Sequence, residues 1–469
     1  MKNLKKTISL TLALALTVLS LGACKSRSTV SEYSVWEDEV VSSKVNKQSD
    51  AESVTSGDKI TSRVTGGSKL ETAVNVDKND IKGKELTVYY PGGSAPDFVA
   101  KTISKYEKAY SCKVNFRSGS WNNRANELAN YVNAGKSPDV IVGTVAEDYP
   151  LYASSGLLET VDLKAFDINN SKIDSATTKD VFTWNGKTYA VGAFADTEVM
   201  VYNKTLIEDM GYETPLQLYK KGQWTWEAFR KLAKNMSYDT DSDGTNDVYG
   251  FTSWCMHGLH TSNNSWILKR SGNNVSLNFN ATAVKEGYQM IYEMYHTDKS
   301  VHPNGYSSVD SMKNGSAVMF MERPQYMFEI AKVNTKSKFD FAPLPIGPSA
   351  GGKNYRYPFA TGEAIGKGTK NYNGALVFID MLLDTLQTQA AVGPCENSEY
   401  KYSAEQKKLM EEIRAFAAAP TTALGFGKFD EKYRSVWAQV EGGNVPYQTA
   451  FDTVKSAMEQ EISFAMSAF

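Results

Sequence analysis

The sequence predicts an α/β protein whose folded body has two lobes or more. Its 469 residues are 41% hydrophobic and 12% aromatic, which supports a well-buried core and is too much chain for one ordinary domain. From residue 85 onward, strand-like and helix-like runs alternate, as they do in a parallel sheet covered by helices. The 51 Lys and Arg nearly balance the 53 Asp and Glu, and no basic patch stands out, so no nucleic acid partner is expected.

The N-terminus has the features of an export signal. Three lysines precede an apolar run over residues 8–21, which is too short to span a bilayer comfortably. The run ends in Leu-Gly-Ala-Cys, which resembles a bacterial lipobox, and this resemblance implies that Cys24 is acylated and becomes the first mature residue. The alternative is an ordinary signal peptide followed by a chance cysteine. We predict a lipoprotein signal peptide over residues 1–23 and a lipid anchor on the outer face of the cytoplasmic membrane.

The segment after Cys24 differs in composition from the rest of the chain. Residues 24–83 are rich in Ser, Thr, Val, Lys and Asp and show no sustained period of 2 or 3.6. We predict a lipid-anchored flexible linker, and the alternative is that Tyr33 to Val41 adds a short strand or helix to the fold. The longest later apolar run, GALVFIDMLL, is interrupted by Asp380, so the body is expected to be tethered to the membrane and not to span it.

The folded body is predicted to open with three strands and two helices. ELTVYY is the first strand, and apolar residues then recur at i, i+4, i+7 and i+11 from Val99, which is one face of a helix. KVNFRSG is the second strand, a helix ending at Gly135 follows, and SPDVIVG is the third strand. Ligands bind beyond the carboxyl ends of such strands, so the loops of interest are PGGSAPD, RSGSWNN and GTVAEDY.

An acidic loop, DTDSDGTNDVYG at residues 239–250, partly matches an EF-hand calcium loop. The residues that fit ligand positions are Asp239, Asp241, Asp243 and Asp247. Position twelve, which needs a bidentate Glu, is Gly250, and the loop joins a helix capped by Thr225 to a strand. Two alternatives stay open, a weak structural Ca²⁺ site and a solvated Asp/Gly turn. Calcium would brace the fold without being the cargo, and no cofactor is required.

Catalytic motifs are absent from the sequence. It contains no GxSxG elbow and no HExxH, and GPSAGGKN lacks the Ser or Thr of a phosphate-binding loop. The four cysteines include no CxxC pair, although a bridge from Cys395 to Cys112 or to Cys255 is left open. An enzyme is therefore not expected.

Several later segments resemble, in order and spacing, the blocks of the family 1 extracellular solute-binding proteins, the receptors of sugar ABC importers to which maltose-binding protein belongs. These segments are SPDVIVGTVAEDYPLYASSGLLETVD, GKTYAVGAFADTEVMVYNKTLIEDMGYETP, GQWTWEAFRKLAK, NGSAVMFMERPQYMFEI, FAPLPIGPSAGG and IGKGTKN. The resemblance covers nearly everything from Lys84 to Phe469. It implies a two-lobe, periplasmic-binding-protein-like (Venus flytrap) α/β fold with hinge crossings. Lobe one would comprise residues 84–193 plus 346–388, and lobe two residues 194–345 plus 389–469.

The resemblance also implies partners and a ligand site. The partners would be a saccharide and the subunits of an ABC permease, and we expect a monomer. Sugars need flat aromatic rings for their C–H faces and carboxylates or amides for their hydroxyls. The implied ligand-binding residues are Trp121, Asp148, Asp196, Trp254, Glu322, Arg323, Tyr326, Tyr357, Phe359 and Phe426.

Each of these residues has a structural alternative. The Trp can anchor a loop, the Asp residues can be solvated or cap turns, Glu322 and Arg323 can form a buried ion pair, and any aromatic can pack in the core. Two other functions also stay open, a surface glycan adhesin without transport and an exported carbohydrate-active enzyme.

Overall fold

The computed structural model describes most of the chain from residue 74 onward. The described residues are 74, 76–145, 148–166, 172–175, 177–192, 197–253, 257–272, 274–303, 308–357, 361–394, 397–419, 429–442 and 445–466. They belong to one compact unit, which extends from Ser56 to Phe469. The signal peptide, almost all of the linker, and the predicted site residues Cys24, Asp196, Trp254, Phe359 and Phe426 lie outside the described residues.

The first sheet has five strands in the order β2–β1–β3–β14–β6. Its strands are β1 (Leu86–Tyr90), β2 (Val114–Ser118), β3 (Val140–Val145), β6 (Ala190–Gly192) and β14 (Thr361–Ile365). The first three are mutually parallel, and β14 lies antiparallel between β3 and β6. Helices α1 (Asp97–Tyr110) and α2 (Arg124–Asn133) alternate with these strands, so the predicted opening of the fold is confirmed.

The core of this half lies between the sheet and two helices. The helix face predicted from Val99 is buried at Val99, Tyr106 and Tyr110, and Ile103 is half-buried. α11 (Tyr372–Ala390) packs against α1, where the Tyr106 and Phe378 rings meet edge to face at 5.5 Å. Such ring pairs stabilise the fold by more than the apolar area that they bury.

The second sheet has four strands in the order β12–β7–β11–β8. Its strands are β7 (Val199–Asn203), β8 (Tyr249–Thr252), β11 (Ala317–Glu322) and β12 (Phe339–Ala342). β7 is antiparallel to both neighbours, whereas β8 and β11 are parallel. The remaining helices are α3 (Tyr149–Ser154), α4 (Lys204–Asp209), α5 (Pro215–Lys220), α6 (Trp226–Asn235), α7 (His257–Ser262), α8 (Thr282–His296), α9 (Ser308–Asn314), α10 (Gln325–Val333), α12 (Ala404–Ala415), α13 (Phe429–Gly442) and α14 (Tyr447–Met466).

The helix predicted before the acidic loop is α6, and its cap is the predicted one. The Thr225 hydroxyl accepts a hydrogen bond from the Ala228 N–H at 3.3 Å, as an N-cap does. Phe229 and Met236 are fully buried. Among the described residues, no helix combines the length and the apolar character needed to cross a membrane.

Three small strand pairs complete the described structure. They are β4 (Thr183–Trp184) with β5 (Lys187–Thr188), β9 (Leu268–Ser271) with β10 (Asn274–Leu277), and β13 (Tyr355–Arg356) with β15 (Ala417–Ala418). Cys112 carries a free thiol in the structure, and Cys255 and Cys395 lie outside the described residues, so a bridge between those two stays open.

The chain passes between the two sheets from β6 to β7 and from β12 to β14, at one edge of each sheet. β1, β2, β3 and β6 end at the edge where β14 begins, and in the second sheet β8, β11 and β12 end at the edge where β7 begins. Five residue steps separate Gly192 from Thr197, a path of at most roughly 18 Å. A second connection runs from the end of β12 to the start of β14. The Thr197 hydroxyl donates to the carbonyl of Tyr357 in this second connection at 2.5 Å, which ties the two connecting segments together. The two carboxyl edges therefore lie close to each other.

Candidate functional site

Trp121 lies at the carboxyl edge of the first sheet. It begins a short 3-10 turn (Trp121–Asn123) three residues after β2, and 36% of the residue is exposed, the largest exposure of any described tryptophan. The Arg124 guanidinium lies over its ring, 4.4 Å from the centroid. This cation–π contact fixes the ring, and the exposed part of the residue is open to a ligand.

Arg124 is in turn held by Asp148. Its Nη2 donates to Asp148 Oδ1 at 2.9 Å and its Nε pairs with Oδ2, while Nη1 donates to the Trp121 carbonyl. Such a bidentate pair is geometrically specific. The structure thus brings two predicted residues, Trp121 and Asp148, into one unit through Arg124. Sequence reasoning missed Arg124, although its i, i+3 spacing from Trp121 was a usable signal.

Glu127 fixes the loop that carries Trp121. Its carboxylate accepts hydrogen bonds from the Ser120 N–H at 3.2 Å and from the Tyr89 hydroxyl at 2.9 Å. Burial, and then the bond to Glu127, raise the pKa of Tyr89 well above its usual value, so this hydroxyl stays a donor. Glu127 therefore holds the loop of Trp121 in place without a ligand.

Glu322 and Arg323 lie at the carboxyl edge of the second sheet. Glu322 ends β11 and is 2% exposed, and its Oε1 accepts from the Arg323 N–H at 2.8 Å and lies 3.5 Å from Arg323 Nε. The ion pair given as the alternative for these residues is therefore formed. The Arg323 guanidinium also lies 5.8 Å from the ring of Tyr326, which is half-buried against Phe320.

A second buried acid, Glu198, lies at the same edge. It directly precedes β7, whose first residue Val199 pairs with Glu322, and it is 4% exposed. A Cβ on Gly258 would lie 2.6 Å from Glu198 Oε2, so the glycine makes room for this carboxylate. Sequence reasoning chose Asp196, two residues earlier, and missed Glu198.

Tyr357 is not an exposed platform. It is 8% exposed, its ring packs 5.9 Å from that of Trp266, and its carbonyl accepts the bond from Thr197. The neighbouring Arg356 pairs with the buried Asp174 at 3.0 Å. Among the described contacts, Tyr357 thus braces the connecting segments.

The acidic loop forms a compact carboxylate cluster. Oxygens of Asp239, Asp241 and Asp247 lie within 4.8 Å of one another. Hydrogen bonds from the backbone N–H of Gly244 and of Ser242 lower the pKa of Asp239, and the Thr240 side chain lowers that of Asp247. The predicted ligand Asp243 does not belong to this cluster, and its carboxylate accepts from the Thr245 N–H at 2.7 Å.

Calcium at about 10 mM, roughly ten times the dissociation constant of a weak extracellular site, is expected to raise the melting temperature by about 2 °C. Asp239→Asn removes a member of the cluster and should abolish the shift, whereas Asp243→Asn is the matched control and should keep it. Differential scanning fluorimetry with CaCl₂ and MgCl₂ measures both. An equal response to the two ions would identify a non-specific charge effect.

Comparison with known proteins decides the family. Residues 101–395, more than half of the chain, match the family described as bacterial extracellular solute-binding protein. The chain belongs to this family. The resemblance found in the sequence is thereby confirmed, and the predicted fold is confirmed by the solved structures described below.

This solute-binding protein also has curated relatives. It is 25% identical over 331 residues to the maltooligosaccharide ABC transporter solute-binding lipoprotein of Streptococcus pneumoniae serotype 4, which covers 66% of this chain and 71% of that protein. It is 31% identical over 149 residues to the diacetylchitobiose binding protein DasA of Streptomyces coelicolor, covering 31% of this chain and 34% of that protein.

Solved structures share its fold. An ABC substrate-binding protein from Listeria monocytogenes in complex with cycloalternan matches with a TM-score of 0.63 and 18% identity, over 81% of this chain and 100% of that one. A maltose/maltodextrin-binding domain from Bdellovibrio bacteriovorus bound to maltotriose matches with a TM-score of 0.59 and 18% identity, over the same shares.

Proposed function

We propose that this protein captures a saccharide between its two lobes and delivers it to an ABC permease. The observation that carries the proposal is the partly exposed Trp121, held by Arg124 at a carboxyl sheet edge. A ring that covers about 60 Å² of apolar sugar surface contributes roughly 1.5 kcal/mol, and micromolar binding needs about 8 kcal/mol. Further contacts are therefore required, and the second sheet edge supplies polar groups for them.

The two curated relatives suggest which sugars to test first. One is named for maltooligosaccharides and the other for diacetylchitobiose, so short oligosaccharides are the proposed ligand class. The other predicted residues stay proposed ligand contacts: Asp148, Asp196, Trp254, Glu322, Arg323, Tyr326, Tyr357, Phe359 and Phe426. The lobe boundaries drawn in the sequence analysis are proposed with them.

The proposed location is the outer face of the cytoplasmic membrane. Cys24 would be acylated after removal of residues 1–23, and each buried methylene contributes roughly 0.8 kcal/mol, so two or more acyl chains anchor the protein durably. The relatives in Streptococcus pneumoniae are named lipoproteins, which supports this assignment. A monomer on a flexible linker over residues 24–83 could then reach its permease.

A binding role without catalysis is the function that we favour. The matched relatives are named as binding proteins. In the presence of excess oligosaccharide, a receptor binds one equivalent and releases the sugar unchanged. If chromatography over several hours detected a reaction product, this would instead support the carbohydrate-active enzyme. Binding without neighbouring permease genes would support the adhesin.

Trp121→Ala is expected to weaken saccharide binding by about tenfold, which corresponds to the roughly 1.5 kcal/mol of one stacking platform. Isothermal titration calorimetry with maltotriose and diacetylchitobiose measures the affinity. The matched control is Tyr212→Ala, which removes an equally exposed aromatic residue (37%) between α4 and α5 and should leave binding unchanged. Equal affinity of Trp121→Ala and wild type would argue against the platform. A wild-type protein that binds amino acids or peptides and no saccharide would overturn the proposed function.

A further inference from the structure

β3 carries a bulge near the carboxyl edge of the first sheet. Its register with β14 shifts by one residue between Gly362 and Ala364. Gly143 lies within the bulge and has a φ of 72°, a conformation that side-chain-bearing residues adopt at a cost. Bulges are frequent beside binding sites, where they redirect a neighbouring side chain.

Glu363 lies opposite this bulge and accepts a hydrogen bond from its backbone. The residue is 2% exposed, and its Oε2 accepts from the Gly143 N–H at 3.2 Å. Burial raises the pKa of Glu363 to about 8, although the bond from Gly143 opposes the shift. At neutral pH this carboxyl therefore keeps its proton.

No charged side chain of the described residues adds to this pKa shift. On β6, the residue paired with Glu363 is the buried Val191. On α11, which also packs against β14, the buried acid is Asp380, and its charge is paired with Lys172 at 2.6 Å. Ionisation of Glu363 would thus place an unpaired charge beside the bulge.

Tyr90 lies on the other side of the bulged strand. It ends β1, is half-buried, and its Cε2 is 3.7 Å from where a Cβ on Gly143 would stand. A Cβ on Gly92 would lie 2.4 Å from Cε1, so two positions without side chains accommodate this ring. The Gly119 N–H donates to the Tyr90 carbonyl at 2.9 Å, which ties the end of β1 to the loop that carries Trp121.

We propose that Tyr90 contacts the saccharide as a second aromatic wall near Trp121, and that Glu363 is the positioning residue that fixes this ring through the bulge at Gly143. The inference rests on the proposed function and adds two residues to its site. Glu363 did not follow from the sequence, because its partner Gly143 is 220 positions away. A neutral carboxyl keeps the bulge compact, whereas a carboxylate there would recruit water and displace the ring.

The experiment measures maltotriose affinity by calorimetry between pH 6 and pH 9. Tyr90→Leu, which keeps apolar bulk and lacks the ring, is expected to bind about tenfold more weakly, and Tyr90→Phe within about twofold of wild type. Wild-type affinity should fall as pH rises through about 8. Glu363→Gln should keep the affinity and lose this pH dependence, and Glu363→Ala should bind weakly at every pH.

Thermal melts confirm that each variant is folded at the titration temperature. Wild-type affinity in Tyr90→Leu would overturn the contact, and a wild-type pH profile in Glu363→Gln would overturn the positioning role. If Trp121→Ala loses affinity while the Tyr90 and Glu363 variants do not, the proposed function stands and this inference alone fails. If the wild-type protein binds none of the saccharides, both fail.

Discussion

Asp380→Ala is expected to lower the free energy of unfolding by about 3–5 kcal/mol, the cost of breaking a buried ion pair from one side. Asp380 is 1% exposed and pairs at 2.6 Å with Lys172, which is 3% exposed and also bonds Asp384 at 3.0 Å. Removing the Asp380 carboxylate leaves the ammonium group buried, with the partly exposed Asp384 as a charge partner and the residue 380 carbonyl at 3.5 Å. The pair joins α11 to a segment about 200 residues earlier, so its loss should destabilise the whole first lobe.

Urea denaturation followed by circular dichroism measures this loss. In the double variant Lys172→Met/Asp380→Leu, both charges are gone and apolar volume replaces them, so most of the stability should return. The matched control is Glu213→Ala, which breaks the exposed pair with Lys221 and should cost less than about 1 kcal/mol. A loss from Asp380→Ala as small as that of the control would show that water reaches the pair.

The same residue shows where sequence reasoning ends. In the sequence, Asp380 interrupts an apolar run and so argues against a membrane helix. Its structural role depends on Lys172, 208 positions away. No local pattern encodes this pairing. β14 is a similar case, because a strand from residues 361–365 inserts antiparallel between β3 and β6. By contrast, β1 to β3 and the capped helix α6 were predictable, since periodicity and capping act within a few residues.

The candidate site also contains residues that the sequence indicated and contacts that only the structure shows. The family resemblance and the position after a parallel strand pointed to Trp121 and Asp148, and their role in ligand binding stays a prediction. The partner that joins them, Arg124, required knowledge of the loop geometry. Tyr357 is buried against Trp266, a packing that composition does not reveal, and its role as a ligand contact stays a prediction. Residue type therefore predicts the kind of site better than it predicts the individual contacts.

Below pH 6.5, the protein is expected to lose stability because the His260 ring is buried without a hydrogen-bond partner in the described part of the chain. The residue is fully buried against the ring of Tyr288 at 4.8 Å and near that of Trp437 at 6.0 Å, and neither ring nitrogen has a partner among the described residues. Burial lowers the pKa of His260 to about 3. The unfolded chain protonates this histidine near pH 6.5 and the folded protein does not, so stability falls as pH drops between these values.

The contribution of His260 is measured against His260→Phe, which keeps the ring stacking and cannot be protonated. One protonation costs about 1.4 kcal/mol per pH unit below 6.5, so the variant should gain about 2 kcal/mol relative to wild type between pH 7 and pH 5. Burial raises the pKa of Glu363 to about 8 and of Glu441 to about 7, which makes both proteins more stable as pH falls toward 4.5. These acids are common to both proteins, so they cancel when the urea unfolding free energies are subtracted. A difference that stays constant from pH 7 to pH 5 would mean that His260 is protonated in the folded protein, and that water or a shift of α8 relieves its burial.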